Sequence, residues 1–326
     1  MNSLKTNNEK KSIHKNRKRK KLTKIIIVTL VILIILALAF LFIVPHMVMN
    51  DMVNIHVNFD KMYSSDDFGV DSEKLKLETS DGLDVVAYEV SLDNPKAIVI
   101  FTSGIHNPSV TAFFGHGKLL KENNYGSILL EMRAHGESDG NVIGLGYKEH
   151  LDTKAAVDYI TEKYNDIPIV VHGLSMGAAT AINSIGEIEE IDGLISMSSY
   201  SSYEDVFYET MLDMDAPKAY AIIQKPFVKI YNMFKYGFKV AHITPENQIK
   251  KLGKRPALIM HSTEDSQVSF SSFKRIMKNA PKHVETYIVE GDRHLILKDD
   301  DYFLHPEKDK EYSKRILKFL DDNFKR

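Results

Sequence analysis

The sequence predicts an α/β protein with a mostly parallel, doubly wound sheet of about eight strands, a small helical cap and one N-terminal transmembrane helix. Short apolar runs alternate with helix-like segments over residues 71–326, and this alternation is typical of a doubly wound sheet. The interval 201–241 is helix-like throughout and rich in Tyr, Phe and Met, which indicates a cap. Residues 25–44 form one uninterrupted apolar run.

The apolar run "IIIVTLVILIILALAFLFIV", residues 25–44, contains no charged side chain. At 1.5 Å per residue, a helix of this length spans about 30 Å, the thickness of one hydrocarbon core. A cleavable signal peptide has a shorter apolar region, of about 7–15 residues, and a small-x-small cleavage site. The following "VPHMVMN" offers no such site. We therefore predict an uncleaved transmembrane helix that contacts the lipid bilayer through residues 25–44.

The flanking charges predict the topology of this helix. The basic tail, residues 1–24, carries ten Lys and Arg and one acid, whereas "PHMVMNDMVNIHVNFD" on the other side carries no Lys or Arg. The positive-inside rule then places the tail in the cytoplasm and everything after Pro45 outside. We expect a single-pass protein of the cell membrane with an extracellular domain. The tail would also contact anionic headgroups.

Composition excludes several classes of function. The chain has 42 Lys and Arg and 44 Asp and Glu, so the part after the tail is net acidic. Nucleic-acid binding is therefore not expected. The absence of cysteine excludes disulfides, thiolate metal sites and a Cys nucleophile. The histidines are scattered, and no phosphate-binding or dinucleotide-binding motif occurs, so neither a metal nor a cofactor is expected.

The order of elements after the predicted helix is regular. Residues 45–70 have weak periodicity and are predicted to form a stalk, or linker, or else a first packing segment. "KLKLET" and "LDVVAYEV" flank the turn signal "SDG" and predict a hairpin. Continuous apolar runs, as in strands buried on both faces, follow in "AIVIF", "GSILLE", "IPIVVH", "GLISMS" and "PALIMH".

Ser175 is the candidate nucleophile, in the stretch "IVVHGLSMGAA". A G-x-S-x-G pattern alone is a weak signal, because a flexible Gly/Ser loop looks similar. Here an apolar strand-like run precedes it and the small, helix-like "AATAINSIG" follows it. Strand, tight turn and helix are the context of a nucleophile elbow. Larger side chains at Gly173 and Gly177 would collide with the adjoining strand and helix.

A serine nucleophile needs a base and an orienting carboxylate, and in this kind of fold these follow the serine in the order acid, then His. "STEDSQVS" follows the strand "PALIMH", and "GDRHLIL" follows "ETYIVE". We assign Asp265 as the acid and His294 as the base, with Glu264 as the rival acid. The backbone N–H groups of Met176 and Ile105 are the expected oxyanion hole.

Four further groups of side chains are candidates for roles around the site. His135 is expected to tie loops together, and Arg133 to form a structural ion pair. His106 borders the oxyanion loop and is a candidate for substrate contact. An aromatic stripe in the cap either lines an acyl pocket or simply packs, and it comprises Tyr203, Phe207, Tyr208 and Met211.

Several motifs in order resemble the α/β-hydrolase superfamily, in its branch of serine aminopeptidase-like and monoacylglycerol-lipase-like enzymes, over about residues 72–324. The family's "H-G-x-x-D-x-x-V" reads "HSTEDSQV", which selects Asp265 over Glu264, and its "G-x-x-H" reads "GDRH". Its "D-x-R-G-H-G-x-S" reads "EMRAHGES", with Glu131 and Ala134 as departures. Ser103 stands where relatives often carry a histidine.

These observations together predict a membrane-anchored extracellular serine hydrolase that cleaves carboxylic esters through an acyl-enzyme. Short peptides are the alternative substrate, and an acidic or basic subsite in the cap that binds a peptide terminus would favour them. A non-catalytic surface binding protein on the same fold is the alternative from another class.

Overall fold

The computed structural model describes residues 2–106, 108–239 and 242–325. Its strands are β1 (Glu73–Glu78), β2 (Asp84–Val90), β3 (Ile98–Thr102), β4 (Gly126–Glu131), β5 (Ile169–Leu174), β6 (Gly193–Met197), β7 (Ala257–Ser262) and β8 (Glu285–Val289). Its helices are α1 (Asn2–Val53), α2 (Phe114–Lys121), α3 (His150–Lys163), α4 (Met176–Glu187), α5 (Tyr203–Asp213), α6 (Lys218–Tyr236), α7 (Pro245–Gln248), α8 (Phe270–Asn279) and α9 (Lys310–Asn323).

The strands form one eight-stranded sheet in the order β1-β2-β4-β3-β5-β6-β7-β8. β2 pairs antiparallel with both β1 and β4, and the remaining neighbours are parallel. The predicted hairpin and the mostly parallel sheet are thereby confirmed. After β3 the chain passes to β4 on one side and then to β5 on the other. Ligand sites of open α/β sheets form at such a switch point, outside the carboxyl ends of the strands.

The sheet has an apolar core on each face, which explains why its central strands are continuous apolar runs. Along β3, Ile98 and Ile100 belong to one core, whereas Val99 and Phe101 belong to the other. Successive side chains of a strand point to opposite faces, so in a strand that is covered on both sides every side chain is buried and apolar residues are favoured at every position.

α1 continues through Pro45 and joins the folded domain at its end. The side chains of residues 25–36 are about half exposed, and no part of the described chain packs around them. Met49 and Val53, in contrast, are completely buried. By length and composition α1 is the one helix in the described chain that could cross a membrane.

Residues 45–70, predicted as a stalk or a first packing segment, pack against the domain and do not form a free stalk. Val57 donates its N–H to the carbonyl of Ala134 over 2.7 Å and accepts the N–H of Gly136 over 2.8 Å. The ring of His56 contacts the carbonyl oxygens of Gly140 and Gly136, which raises the pKa of its imidazole. Backbone pairing and burial of Met49 therefore hold this segment in place.

α5 and α6 form the excursion between β6 and β7 that the sequence predicts as a cap. They share a third apolar core with Met49 and Val53 of α1 and with Met176 at the start of α4. The last two residues of the predicted cap, 240 and 241, lie outside the described residues, as do the first residue of the tail and the last of the domain. The cap helices therefore pack between the end of α1 and the start of α4.

Candidate active site

Ser175 occupies a sharp turn between β5 and α4. Its φ of 56° and ψ of −115° are unusual for a residue with a side chain, because L-residues rarely adopt positive φ. The N–H of Ser175 donates to the carbonyl of Met197 over 2.8 Å, which fixes the turn against β6. A strained residue held between a strand and a helix agrees with the predicted nucleophile elbow.

The two glycines around Ser175 are required by close backbone contacts. A Cβ at Gly173 would lie 2.1 Å from the carbonyl oxygen of Gly177, and a Cβ at Gly177 would lie 2.3 Å from that of Thr102. The Thr102 hydroxyl donates to the Gly177 carbonyl over 3.0 Å. The start of α4 is thus pressed against the end of β3, which brings the two loops of the site together.

The structure brings His294 against Asp265. The Nδ1 of His294 lies 3.1 and 3.0 Å from the two carboxylate oxygens of Asp265. The same carboxylate accepts the backbone N–H groups of Gln267 and Val268, each over 2.9 Å. Burial alone would raise the pKa of Asp265, but the contact with His294 and these N–H donors outweigh it and lower the pKa. The carboxylate is therefore held ionised behind the imidazole.

Ser175 and His294 line one pocket of about 500 Å³ above the carboxyl ends of the strands. Ile105 lines the same pocket, and Met176 is the first residue of α4. The loop that carries Ile105 is fixed by two contacts, because Ser103 donates to the Pro108 carbonyl over 2.6 Å and a ring nitrogen of His135 lies 3.0 Å from the Ile105 carbonyl. His135 therefore ties loops together, as expected.

Glu264 and Arg133 do not line the pocket that contains Ser175. Glu264 is exposed, whereas Asp265 is buried. Arg133 is buried and makes a forked contact with Asp152, with its Nε at 2.9 Å and Nη2 at 2.6 Å from one carboxylate oxygen. Its Nη1 and Nη2 also donate to the two carboxylate oxygens of Asp81, in agreement with a structural ion pair. Among the described residues no group of three or more His, Cys, Asp or Glu is placed to hold a metal ion.

The face of α5 predicted to line an acyl pocket packs into the core instead. The predicted lining residues Tyr203, Phe207 and Met211 are buried in the core beneath the cap, and Tyr208 lies under the ammonium of Lys225. The pocket is lined instead by other residues of α5, namely Val206, Glu209, Thr210 and Asp213. Residues 203, 207 and 211 share one helical face, and the more apolar face is the one that packs. His106 does line the pocket.

The pocket carries an acidic lining that sequence reasoning missed. Four carboxylates line it, from Glu209, Asp213, Asp292 and Asp300, and no Lys or Arg occurs among its described lining residues. Burial raises the pKa of Glu209 to about 7, although Glu209 also accepts the N–H of Ser269 over 3.1 Å. The site therefore has a negative field that strengthens as the pH rises through neutrality.

The fold and the elbow together define a hydrolase of the α/β type, and comparisons with known proteins agree. Residues 93–249 match the family model described as serine aminopeptidase, S33. The Pyrococcus furiosus esterase Pf2001 superposes with a TM-score of 0.62 at 21% identity, over 83% of this chain and 99% of that one. The chain has the α/β-hydrolase fold, and the match over residues 93–249 supports its placement in the α/β-hydrolase superfamily.

Two further relatives indicate the breadth of the match. The uncharacterized protein YqkD of Bacillus subtilis (strain 168) is 25% identical over 248 residues, which is 74% of this chain and 76% of that protein. The Pyrococcus horikoshii acylaminoacyl peptidase superposes with a TM-score of 0.57 at 14% identity, over 78% of this chain and 42% of that one. At such identities the structural likeness supports the fold, and both an esterase and a peptidase share it.

Proposed function

We propose that the chain is a membrane-anchored serine hydrolase that cleaves carboxylic esters outside the cell, with Ser175, His294 and Asp265 as its catalytic residues. The observation that carries this proposal is the arrangement of the pocket. Ser175, at a strained elbow, and the imidazole of His294 line the same pocket, and the Nδ1 of His294 contacts the buried, ionised carboxylate of Asp265. This is the set of groups that acyl transfer through a serine requires.

In the proposed reaction the Ser175 hydroxyl attacks the ester carbonyl, while His294 accepts the hydroxyl proton and then donates it to the departing alcohol. Asp265 holds the imidazolium that forms. The N–H groups of Met176 and Ile105 donate to the developing oxyanion, and one such donor contributes about 3–4 kcal/mol in comparable enzymes. Water activated by His294 then releases the acid and restores Ser175.

Hydrolysis of a p-nitrophenyl ester series tests this proposal, with Ser175→Ala as the critical variant. Ser184→Ala is a matched control, because Ser184 is buried in α4, the helix that follows Ser175, and its hydroxyl has no hydrogen-bond partner among the described residues. We expect Ser175→Ala to lose about 10³-fold or more in kcat, and Ser184→Ala to retain wild-type activity. Equal activity in wild type and Ser175→Ala would contradict the proposal.

The acidic lining supports a second candidate, the cleavage of short peptides or aminoacyl compounds with a free amino group. Asp213 belongs to the cap and lines the pocket, where a carboxylate attracts an ammonium group. Aminoacyl-p-nitroanilides and their N-acetylated forms should be compared in wild type and Asp213→Asn. A preference for the free amine that falls in the variant supports this candidate. No difference between the two forms would refute it.

The anchored, extracellular placement of the domain is part of the same proposal. The apolar run of α1 and the ten Lys and Arg before it support this placement. Protease added to intact cells should remove the domain and leave a short, tail-containing fragment in the membrane. Full protection of the domain on intact cells, with digestion only after lysis, would refute the extracellular placement.

A further inference from the structure

The cap helix α6 carries apolar side chains on its exposed face as well as on its buried face. Its buried face includes two amides, Gln224 and Asn232, whereas Ile222 and Ile223 are 51% and 54% exposed on the other side. Ile230 and Phe234 continue the exposed stripe. A helix of a soluble surface normally turns its apolar stripe inward. This stripe therefore needs an apolar partner outside the described chain.

The position of α6 beside α1 indicates which partner is available. The rings of Phe40 and Tyr220 lie 6.2 Å apart, and those of His46 and Tyr231 lie 5.4 Å apart. Further along, Lys235 donates to the side-chain oxygen of Asn54. These contacts follow the same order along α1 and α6, so the two helices run side by side in the same direction.

The contact at Phe40 sets the depth of the first turns of α6. Phe40 lies four residues before Val44, the end of the predicted span, or about 6 Å inside it at 1.5 Å per residue. Tyr220 is at the same level, and it is followed directly by Ile222 and Ile223. With residues 25–44 as the proposed span, this contact places the start of α6 where the outer leaflet meets its headgroups.

The last turn of α5 and the residue after it add two more exposed apolar side chains, Leu212 and Met214. We call Leu212, Met214, Ile222 and Ile223 the apolar corner. α6 itself contains four lysines and no acid, and of these Lys225 pairs with Asp205 and Lys235 with Asn54. Apolar side chains at the boundary of headgroups and acyl chains, with lysines that reach phosphates, are typical of interfacial helices.

We propose that the apolar corner docks into the outer leaflet beside α1 and holds the pocket mouth at the membrane surface. Thr210 and Asp213 of the same turn line the pocket, so docking of Leu212 and Met214 sets the distance from the bilayer to Ser175. This inference rests on the anchoring in the proposed function and is independent of the proposed catalysis.

The absence of cysteine allows a direct test with single-cysteine variants of the full chain. Each variant carries a nitrobenzoxadiazole label and is reconstituted into vesicles of phosphatidylcholine and phosphatidylglycerol that contain a nitroxide-labelled lipid as quencher. Ile223→Cys and Met214→Cys report the corner, and Leu33→Cys reports the span. Ile288→Cys is the matched control, an isoleucine that is 45% exposed on the edge strand β8.

We expect lipid nitroxides to quench labels at 223 and 214 roughly threefold more strongly than the label at 288, since interfacial side chains lie about 5–10 Å into the boundary region. Quenching at 223 and 214 equal to that at 288 would overturn docking. A corner label that is shielded from iodide in water but not quenched by lipid would indicate a protein partner and also overturn it.

The label at Leu33 separates the possible failures. If it escapes lipid quenching, the anchoring and the docking are both wrong. If it is quenched while the corner labels are not, docking alone is wrong. Hydrolysis of a water-soluble ester by each labelled variant is measured in parallel, so a failure of the proposed catalysis is seen independently of the quenching result.

Discussion

Replacement of Gly177 by Ala tests how closely the elbow depends on its backbone contacts. The new Cβ would lie 2.3 Å from the Thr102 carbonyl oxygen and 2.5 Å from that of Ser103, whereas real Cβ contacts almost never fall below 3.0 Å. The end of β3 and the start of α4 must therefore separate by roughly 0.7 Å or more. These two segments carry the N–H groups of Ile105 and Met176, so the oxyanion hole widens.

The expected loss follows from this displacement. A misplacement of about 1 Å in an active site costs about 10²-fold in rate, and overpacking of a buried position costs about 1–3 kcal/mol in the free energy of unfolding. We therefore expect Gly177→Ala to fold, with a lower Tm, and to hydrolyse p-nitrophenyl acetate with a kcat about 10²-fold below wild type.

Gly186→Ala is the matched control for this substitution. Gly186 lies near the end of the same helix, and its Cβ would lie 2.1 Å from the Oε1 and 2.8 Å from the Cβ of the buried Gln248 on α7, so the new contact is with α7 and not with the end of β3. We expect thermal unfolding to show a lower Tm, since overpacking against a buried side chain costs about 1–3 kcal/mol, and kcat to stay within about twofold of wild type because the oxyanion loops are not displaced. A folded Gly177→Ala with wild-type kcat, or equal losses of kcat in both variants, would refute the reasoning.

Two further predictions concern charges. Arg133→Met leaves the carboxylate of Asp152 buried without its guanidinium partner, and we expect it to lower the free energy of unfolding, measured in urea, by about 3–5 kcal/mol. Lys74→Met breaks an exposed pair with Glu137 and should lower it by less than about 1 kcal/mol. Equal losses would argue against a structural role for Arg133. The raised pKa of Glu209, about 7, leaves its carboxyl neutral below that pH and charged above it. The kcat/KM ratio of a trimethylammonium ester to its neutral tert-butyl isostere should therefore rise about fivefold from about pH 6 to about pH 8, by about 1 kcal/mol. Glu209→Gln should flatten this rise, and a pH-independent ratio in wild type would contradict the assignment.

The sequence could predict what depends on local pattern. Continuous apolar runs identified the central strands, because a strand covered on both faces has apolar side chains at every position. Ser175 was identified because strand, turn and helix are adjacent in the chain. Asp265 and His294 are predicted because each follows a late strand, and parallel strands end at the same edge of the sheet, whereas the choice of Asp265 over the adjacent Glu264 depends on the resemblance to the family motif.

Other features depend on how distant segments pack and could not be read from local pattern. The period of Tyr203, Phe207 and Met211 shows that they share a face, but not whether that face meets the core or the pocket. The acidic lining comes from separate stretches of chain, and the fold alone brings Glu209 and Asp300 together. Residues 45–70 have little periodicity, and they are held by backbone pairing that leaves no side-chain pattern.

Covalent labelling by a fluorophosphonate probe, followed by mass spectrometry of the modified peptide, tests the central claim most directly. The account predicts one adduct, on Ser175, in the full-length protein, no adduct in Ser175→Ala, and greatly slowed labelling in His294→Ala. An unlabelled wild type, or undiminished labelling of Ser175→Ala, would contradict it.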